Sequence, residues 1–178
     1  TAGKKLVRVD RQEVLQRIPV LGNNFGRALH MPDLANVRNP RLLQALQASL
    51  QVERSFSLLS GVSVERLLID HGRVVGAQTS SGFIAADCVV LATGAWSGAL
   101  LKTLGLDLPV APVKGQMILY KCAEDFLPAM VLAKGRYAIP RKDGHILVGS
   151  TLEHMGFDKA PTAEALASLK ASAEELLP

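Results

Sequence analysis

Val89-Val90-Leu91-Ala92-Thr93-Gly94-Ala95-Trp96-Ser97 is the stretch whose reading decides the fold. Apolar side chains lead from Cys88 through Ala92 into a small turn that carries a glycine, and a helix-like segment follows about two residues later. Alternation is lost when neither face of a strand meets water, so an unbroken apolar run reads as a strand buried on both faces. Small residues after such a strand let a backbone approach a ligand closely. The reading therefore expects a buried strand at Cys88–Ala92 and a ligand-facing turn at Ala92, Thr93 and Gly94.

Working outward toward the N-terminus, the period is two. Val62–Leu68, Arg73–Thr79 and Gly82–Ala85 read as three short strands, joined at Asp70-His71-Gly72 and Ser80-Ser81-Gly82. An antiparallel meander thus feeds the buried strand. Before it, Leu42, Leu43, Leu46 and Leu50 recur at helical spacing after Asn39-Pro40, which reads as asparagine N-cap and proline at the first helical position. Residues 19–38 read as loop with one short strand. Asp10 followed by Glu13 opens a helix of the capping-box kind that stops before Pro19.

Toward the C-terminus, Leu100–Leu106 reads as a short helix closed near Gly105 and Pro109. Gln116–Lys121, Met130–Ala133, Arg136–Ile139 and His145–Ser150 read as strands, the last two joined by Arg141-Lys142-Asp143-Gly144. Thr162 and Glu164 open a final helix with Ala165, Leu166, Leu169 and Ala173 on one face.

Bulk properties exclude several classes. Hydrophobic residues make up 48% and charged residues 20%, which is globular rather than disordered. No apolar run approaches the roughly 18 residues of a membrane span, so no membrane partner is expected. The +4 charge is dispersed and aromatics are only 4%, which argues against a nucleic-acid face. Cys88 and Cys122 sit in apolar runs and read as buried free thiols, consistent with a reducing cytoplasm. The four histidines lack ligand-like spacing, and no metal site is expected. The chain begins at Thr1 and contains no G-x-G-x-x-G after a strand, which together suggest a piece of something longer.

Four segments, in order, carry a family resemblance. The meander is followed by V-V-L-A-T-G-A-W-S, then P-V-K-G-Q at Pro112–Gln116, then Y-A-I-P-R-x-D-G-x-I-L-V-G-S-T at Tyr137–Thr151. This set resembles the D-amino-acid-oxidase-like FAD-dependent oxidoreductases, and within them most resembles the glycine oxidase branch linked to thiamine biosynthesis. Leu29-His30-Met31-Pro32-Asp33 and Val37-Arg38-Asn39-Pro40-Arg41 also suit that branch.

The resemblance implies an α/β (α+β) fold. It would hold part of a Rossmann-like FAD-binding domain with a β-meander, plus an antiparallel-sheet substrate domain with flanking helices. Residues 39–108 would belong to the FAD part, and 1–38 with 109–178 to the substrate part. FAD is the implied cofactor, backed by Val64 on the first meander strand and by Ala92, Thr93 and Gly94. Tyr137 matches a substrate-site residue of the branch, and Leu152 an apolar pocket residue. Read without the resemblance, Tyr137 is a half-buried packing residue and Trp96 a core residue that scaffolds the turn. Arg136 and Arg141 are expected to face water in their hairpin, and no chemistry is assigned to Lys114.

The implied reaction is oxidation of the C–N bond of glycine or another small amine to an imine, with peroxide formation. A D-amino acid, sarcosine or a modified tRNA base remains an alternative substrate within the same fold. No catalytic acid or base is identified, since the cofactor carries the hard chemistry. The alternative from another class is a non-catalytic fragment that cannot hold FAD. Self-association through an open sheet edge beside Cys88–Ala92 is also expected.

Overall fold

The computed structural model describes residues 5–178; Thr1 and the rest of the first four residues of the expected 1–38 segment lie outside it. Elements follow in chain order: β1 (Val7–Asp10), α1 (Arg11–Arg17), β2 (Arg27–His30), α2 (Asn39–Gln51), β3 (Val64–Asp70), β4 (Arg73–Thr79) and β5 (Gly82–Ala85). Then come α3 (Ser97–Lys102), β6 (Met117–Lys121), β7 (Val131–Ala133), β8 (Arg136–Pro140), β9 (His145–Gly149) and α4 (Ala163–Leu176). The chain divides into two compact units, residues 35–112 and residues up to 34 together with 113–178.

In the unit containing the C-terminus, four antiparallel strands run in the order β6-β9-β8-β7. The pleat sends Ile118, Tyr120, Ala138, Ile146 and Val148 to the same face, and α4 covers it. Thr162 caps α4 by accepting the Ala165 N–H at 3.3 Å. Ala165, Leu169, Ala173 and Leu176 form the helix's buried stripe at three- and four-residue spacing. Leu166, expected on that stripe, is 45% exposed, because one residue past Ala165 turns it about 100° off the buried line.

The N-terminal segment adds β1 paired with β2, with Val9, Val14 and Leu21 as its own small core. Asp10 accepts the Glu13 N–H at 2.9 Å, so the expected start of α1 stands. Strand β1 was not expected.

In the unit of residues 35–112, β3, β4 and β5 form the expected antiparallel meander. Several expectations fail there. Cys88–Ala92 is not a strand: it joins no ladder among the described residues, Val90 is 85% exposed and Cys88 is exposed. A buried strand needs neighbours on both edges and both faces, whereas here only Val89 and Leu91 are half-buried and the rest of the run is exposed. The Cys88 thiol is therefore not buried, and Cys122 is only half-buried. Trp96 is 53% exposed rather than core.

Helix α2 starts one residue earlier than expected, with Arg38 as N-cap and Asn39 already helical; its leucines 42, 43, 46 and 50 are all exposed. The helix expected at Leu100–Leu106 is displaced to Ser97–Lys102, preceded by a tight turn at Gly94–Trp96. Among the described residues, no helix is long and apolar enough to cross a membrane.

Candidate functional site

The expected residues fall at two places, one in each unit. In the unit of residues 35–112, Val64 opens β3, pairs with Thr79 and is 46% exposed. β3 lies at the edge of its sheet, so its outer backbone groups bond to no strand among the described residues. The turn follows the extended run: Gly94 takes φ +54°, and the Trp96 N–H closes back on the Thr93 carbonyl at 3.1 Å. Thr93 Oγ1 and Ser97 Oγ lie 2.9 Å apart, pinning the turn to the first residue of α3. Nothing lies within 4 Å of where a Gly94 Cβ would sit. Exposed backbone groups beside open space suit contact with the flat and polar parts of a nucleotide without needing a charged side chain.

The second place is the sheet face opposite α4. Gly149 on β9 stands between Tyr137 on β8 and Met117 on β6, in register with both. A Cβ at Gly149 would come within 2.7 Å of Met117 Cγ and 2.8 Å of Tyr137 Oη, so glycine alone lets the ring lean across β9. The phenol donates to Met117 Sδ at 3.2 Å. A thioether is a weak acceptor, so a carboxylate arriving on this face would outcompete it for the proton. Leu119 and Leu132, which share the face by alternation, are 49% and 69% exposed. Leu152 lies three residues beyond β9 and is 73% exposed.

Around Leu152 lies a polar cluster that sequence reasoning missed. Gln116 donates to Glu153 Oε1 at 2.8 Å and to Thr162 Oγ1 at 3.1 Å, and accepts the Thr162 N–H at 2.9 Å. Thr151 Oγ1 also donates to Glu153. These two hydrogen bonds to the charged form hold the Glu153 carboxyl below its usual value against a partial burial penalty; the Lys114 ammonium lowers it further and Asp158 opposes. The Lys114 side chain is only 7% exposed, with Nζ 3.8 Å from Glu153 and 3.9 Å from Asp158. The one local signal was Thr162, read as opening the final helix.

Arg136 does not face water as expected. Half-buried, it donates to the Ser150 carbonyl and to Ser168 Oγ, 3.1 Å away. Arg141 is half-buried too, its backbone N–H bonded to His145 O at 2.8 Å. The larger surface hollow, about 360 Å³, lies on the α4 side of the sheet and includes Tyr120, Cys122 and Glu174 rather than Tyr137. Burial there, then the charge of Glu174, pushes the Tyr120 phenol up.

Comparison with known proteins gives a consistent result. The family model described as DAO, FAD dependent oxidoreductase, matches residues 2–178. Proteins named glycine oxidase from Pseudomonas putida and Pseudomonas aeruginosa are each 62% identical over 98% of this chain. The chain spans about half the length of these curated relatives, 48% in both cases. The solved structure of glycine oxidase from Bacillus cereus superposes with a TM-score of 0.93 at 26% identity, over 99% of this chain and 48% of that one.

Proposed function

Because the chain belongs to the DAO family of FAD dependent oxidoreductases, we propose that its full-length protein oxidises the C–N bond of glycine or another small amino acid to an imine, with peroxide formation. The observation that carries this reading is the phenol of Tyr137, held on a weak sulfur acceptor across Gly149 on an exposed apolar face. Such a hydroxyl can turn to the carboxylate of a small zwitterion, while Met117, Leu119 and Leu152 exclude water around the α-carbon. When bound, FAD supplies the two-electron acceptor for that carbon's C–H bond. Val64 and the turn at Ala92, Thr93 and Gly94 back the cofactor through exposed backbone groups and the open space at Gly94. Residues 35–112 serve the cofactor and the sheet of β6–β9 the substrate.

Glycine is preferred to D-alanine or sarcosine in this reading on the strength of the Pseudomonas relatives' names. A role in thiamine biosynthesis belongs to the same reading, as the glycine oxidase branch implies, and a cytoplasmic setting is read from Cys88 and Cys122 being free thiols. Peroxide release from each of the three amines tests the choice. Tyr137→Phe in the full-length protein should raise KM for glycine about tenfold, equal to about 1.4 kcal/mol of lost binding. Unchanged KM and turnover would remove Tyr137 from the site.

The 178-residue chain taken alone is read differently. It contains no G-x-G-x-x-G to cradle a pyrophosphate, so it should purify colourless. A yellow preparation with stoichiometric flavin would overturn that. Self-association of this chain through the exposed run around Val90 should appear as concentration-dependent sedimentation.

A further inference from the structure

We propose that Gln116 and Glu153 are positioning residues that set amine selectivity by holding Leu152 at the mouth of the substrate face. The proposal rests on the reading of Tyr137 and its sheet face given above.

Leu152 is 73% exposed, while Thr151 and Glu153 on either side are half-buried. An exposed leucine needs no special cause, but where this one stands is fixed by its neighbours. They are tied down thoroughly. Lys114 and Glu153 exchange both backbone hydrogen bonds at 2.9 Å. The Thr151 N–H donates to the Gln116 carbonyl at 3.1 Å, and the Gln116 N–H donates to Thr151 Oγ1 at 2.9 Å. One residue earlier, Arg136 holds the Ser150 carbonyl.

The side chains of Gln116 and Glu153 join these separate ties. Both amide N–H groups of Gln116 are used, one on Glu153 and one on Thr162, and its amide oxygen takes the Thr162 N–H. The segment carrying Leu152 is thereby fixed to the N-terminus of α4. Gln116 immediately precedes Met117, and Ser150 immediately follows Gly149, so the same cluster fixes both neighbours of the Tyr137 ring. The position of Leu152 relative to the phenol is set by the backbone bridge between Lys114 and Glu153 together with these side-chain bonds. A glutamate suits position 153 because Thr151 and Gln116 both donate to its Oε1 while its Oε2 lies 3.8 Å from Lys114 Nζ; a glutamine that kept its oxygen on the first two would turn an N–H donor toward the ammonium. A wall side chain so placed decides whether the substrate has room for an extra methyl group, which is worth about tenfold or more in selectivity.

The test compares kcat/KM for glycine and D-alanine in the full-length protein, for wild type, Glu153→Gln, Gln116→Leu, Leu152→Ala and the double variant Leu152→Ala/Glu153→Gln. The two clamp variants should shift the glycine to D-alanine ratio by about fivefold or more. The shift should lie in KM, with kcat and flavin content close to wild type. In the double variant the ratio should equal that of Leu152→Ala alone, because the residue being positioned is gone. An unchanged ratio in both clamp variants, or multiplicative effects in the double variant, overturns the proposal. Amide exchange gives a readout independent of turnover. In the 178-residue chain, Glu153→Gln should speed exchange at Ser150–Glu153 about tenfold relative to β8, and equal rates overturn the clamp. If the wild-type protein oxidises no amine while this exchange effect is present, the function fails and the clamp survives as structure only.

Discussion

Gly149→Ala is the sharpest perturbation the sheet face offers. The added methyl carbon would sit 2.7 Å from Met117 Cγ, 2.8 Å from Tyr137 Oη and 3.0 Å from Tyr137 Cζ, all well inside contact distance. Overpacking costs about 1–3 kcal/mol. Met117 is 52% exposed and can swing outward, but the half-buried tyrosine ring cannot move without losing its place on the sheet. One collision is relieved and the other remains, so about 1–3 kcal/mol is lost, which corresponds to a fall in Tm of about 2–12 °C for a chain of this size. Thermal unfolding of the 178-residue chain followed by circular dichroism measures it. Truncating the methionine should relieve one collision, so Gly149→Ala and Met117→Ala should couple favourably by about 0.5–1 kcal/mol in a double-mutant cycle. A Gly149→Ala chain melting at or above wild type would refute the close packing of the ring across β9. Strict additivity would refute the part assigned to Met117.

Leu169 is 2% exposed and Leu166 45%, so Leu169→Ala should cost about 2–5 kcal/mol and Leu166→Ala about 0.5 kcal/mol or less in urea titrations. Equal midpoints would contradict the placement of α4. Because Thr151 and Gln116 hold the Glu153 carboxyl below the ordinary 4.5, its ionised form favours the folded state. That contribution is complete above about pH 4.5 and is lost as pH falls through the lower folded value; Glu153→Gln should flatten the acid limb of stability against pH, and parallel curves would refute this. Cys88 is exposed and Cys122 half-buried, so a thiol reagent should modify Cys88 about tenfold faster, which variants lacking either cysteine would check.

The strands and turns were legible because their signals are local. Alternation in Arg73–Thr79 and the Asp70-His71-Gly72 turn depend on a few adjacent residues, and the meander follows from them. Cys88–Ala92 shows where such reading stops. Its composition suits burial on both faces, but composition cannot supply the neighbours, and it pairs with no strand among the described residues. The leucines of α2 fail in the same way. Tyr137 was named from its motif, whereas its partner Met117 emerges only from the register through Gly149. The cluster at Gln116, Thr151, Glu153 and Thr162 was hidden because bonds spanning 35–46 residues leave no periodic trace.

Helix α2 has thirteen residues and buries none of them, and residues 42–52 carry no charge. Helices of about that length are marginal in water when nothing tertiary supports them. The fourteen-residue α4 has a buried stripe and two turns of leucine and alanine set against strands. In a single polypeptide these two helices should keep different time: α4 opening only when the whole β6–β9 layer comes apart, α2 unwinding and rewinding continually on its own.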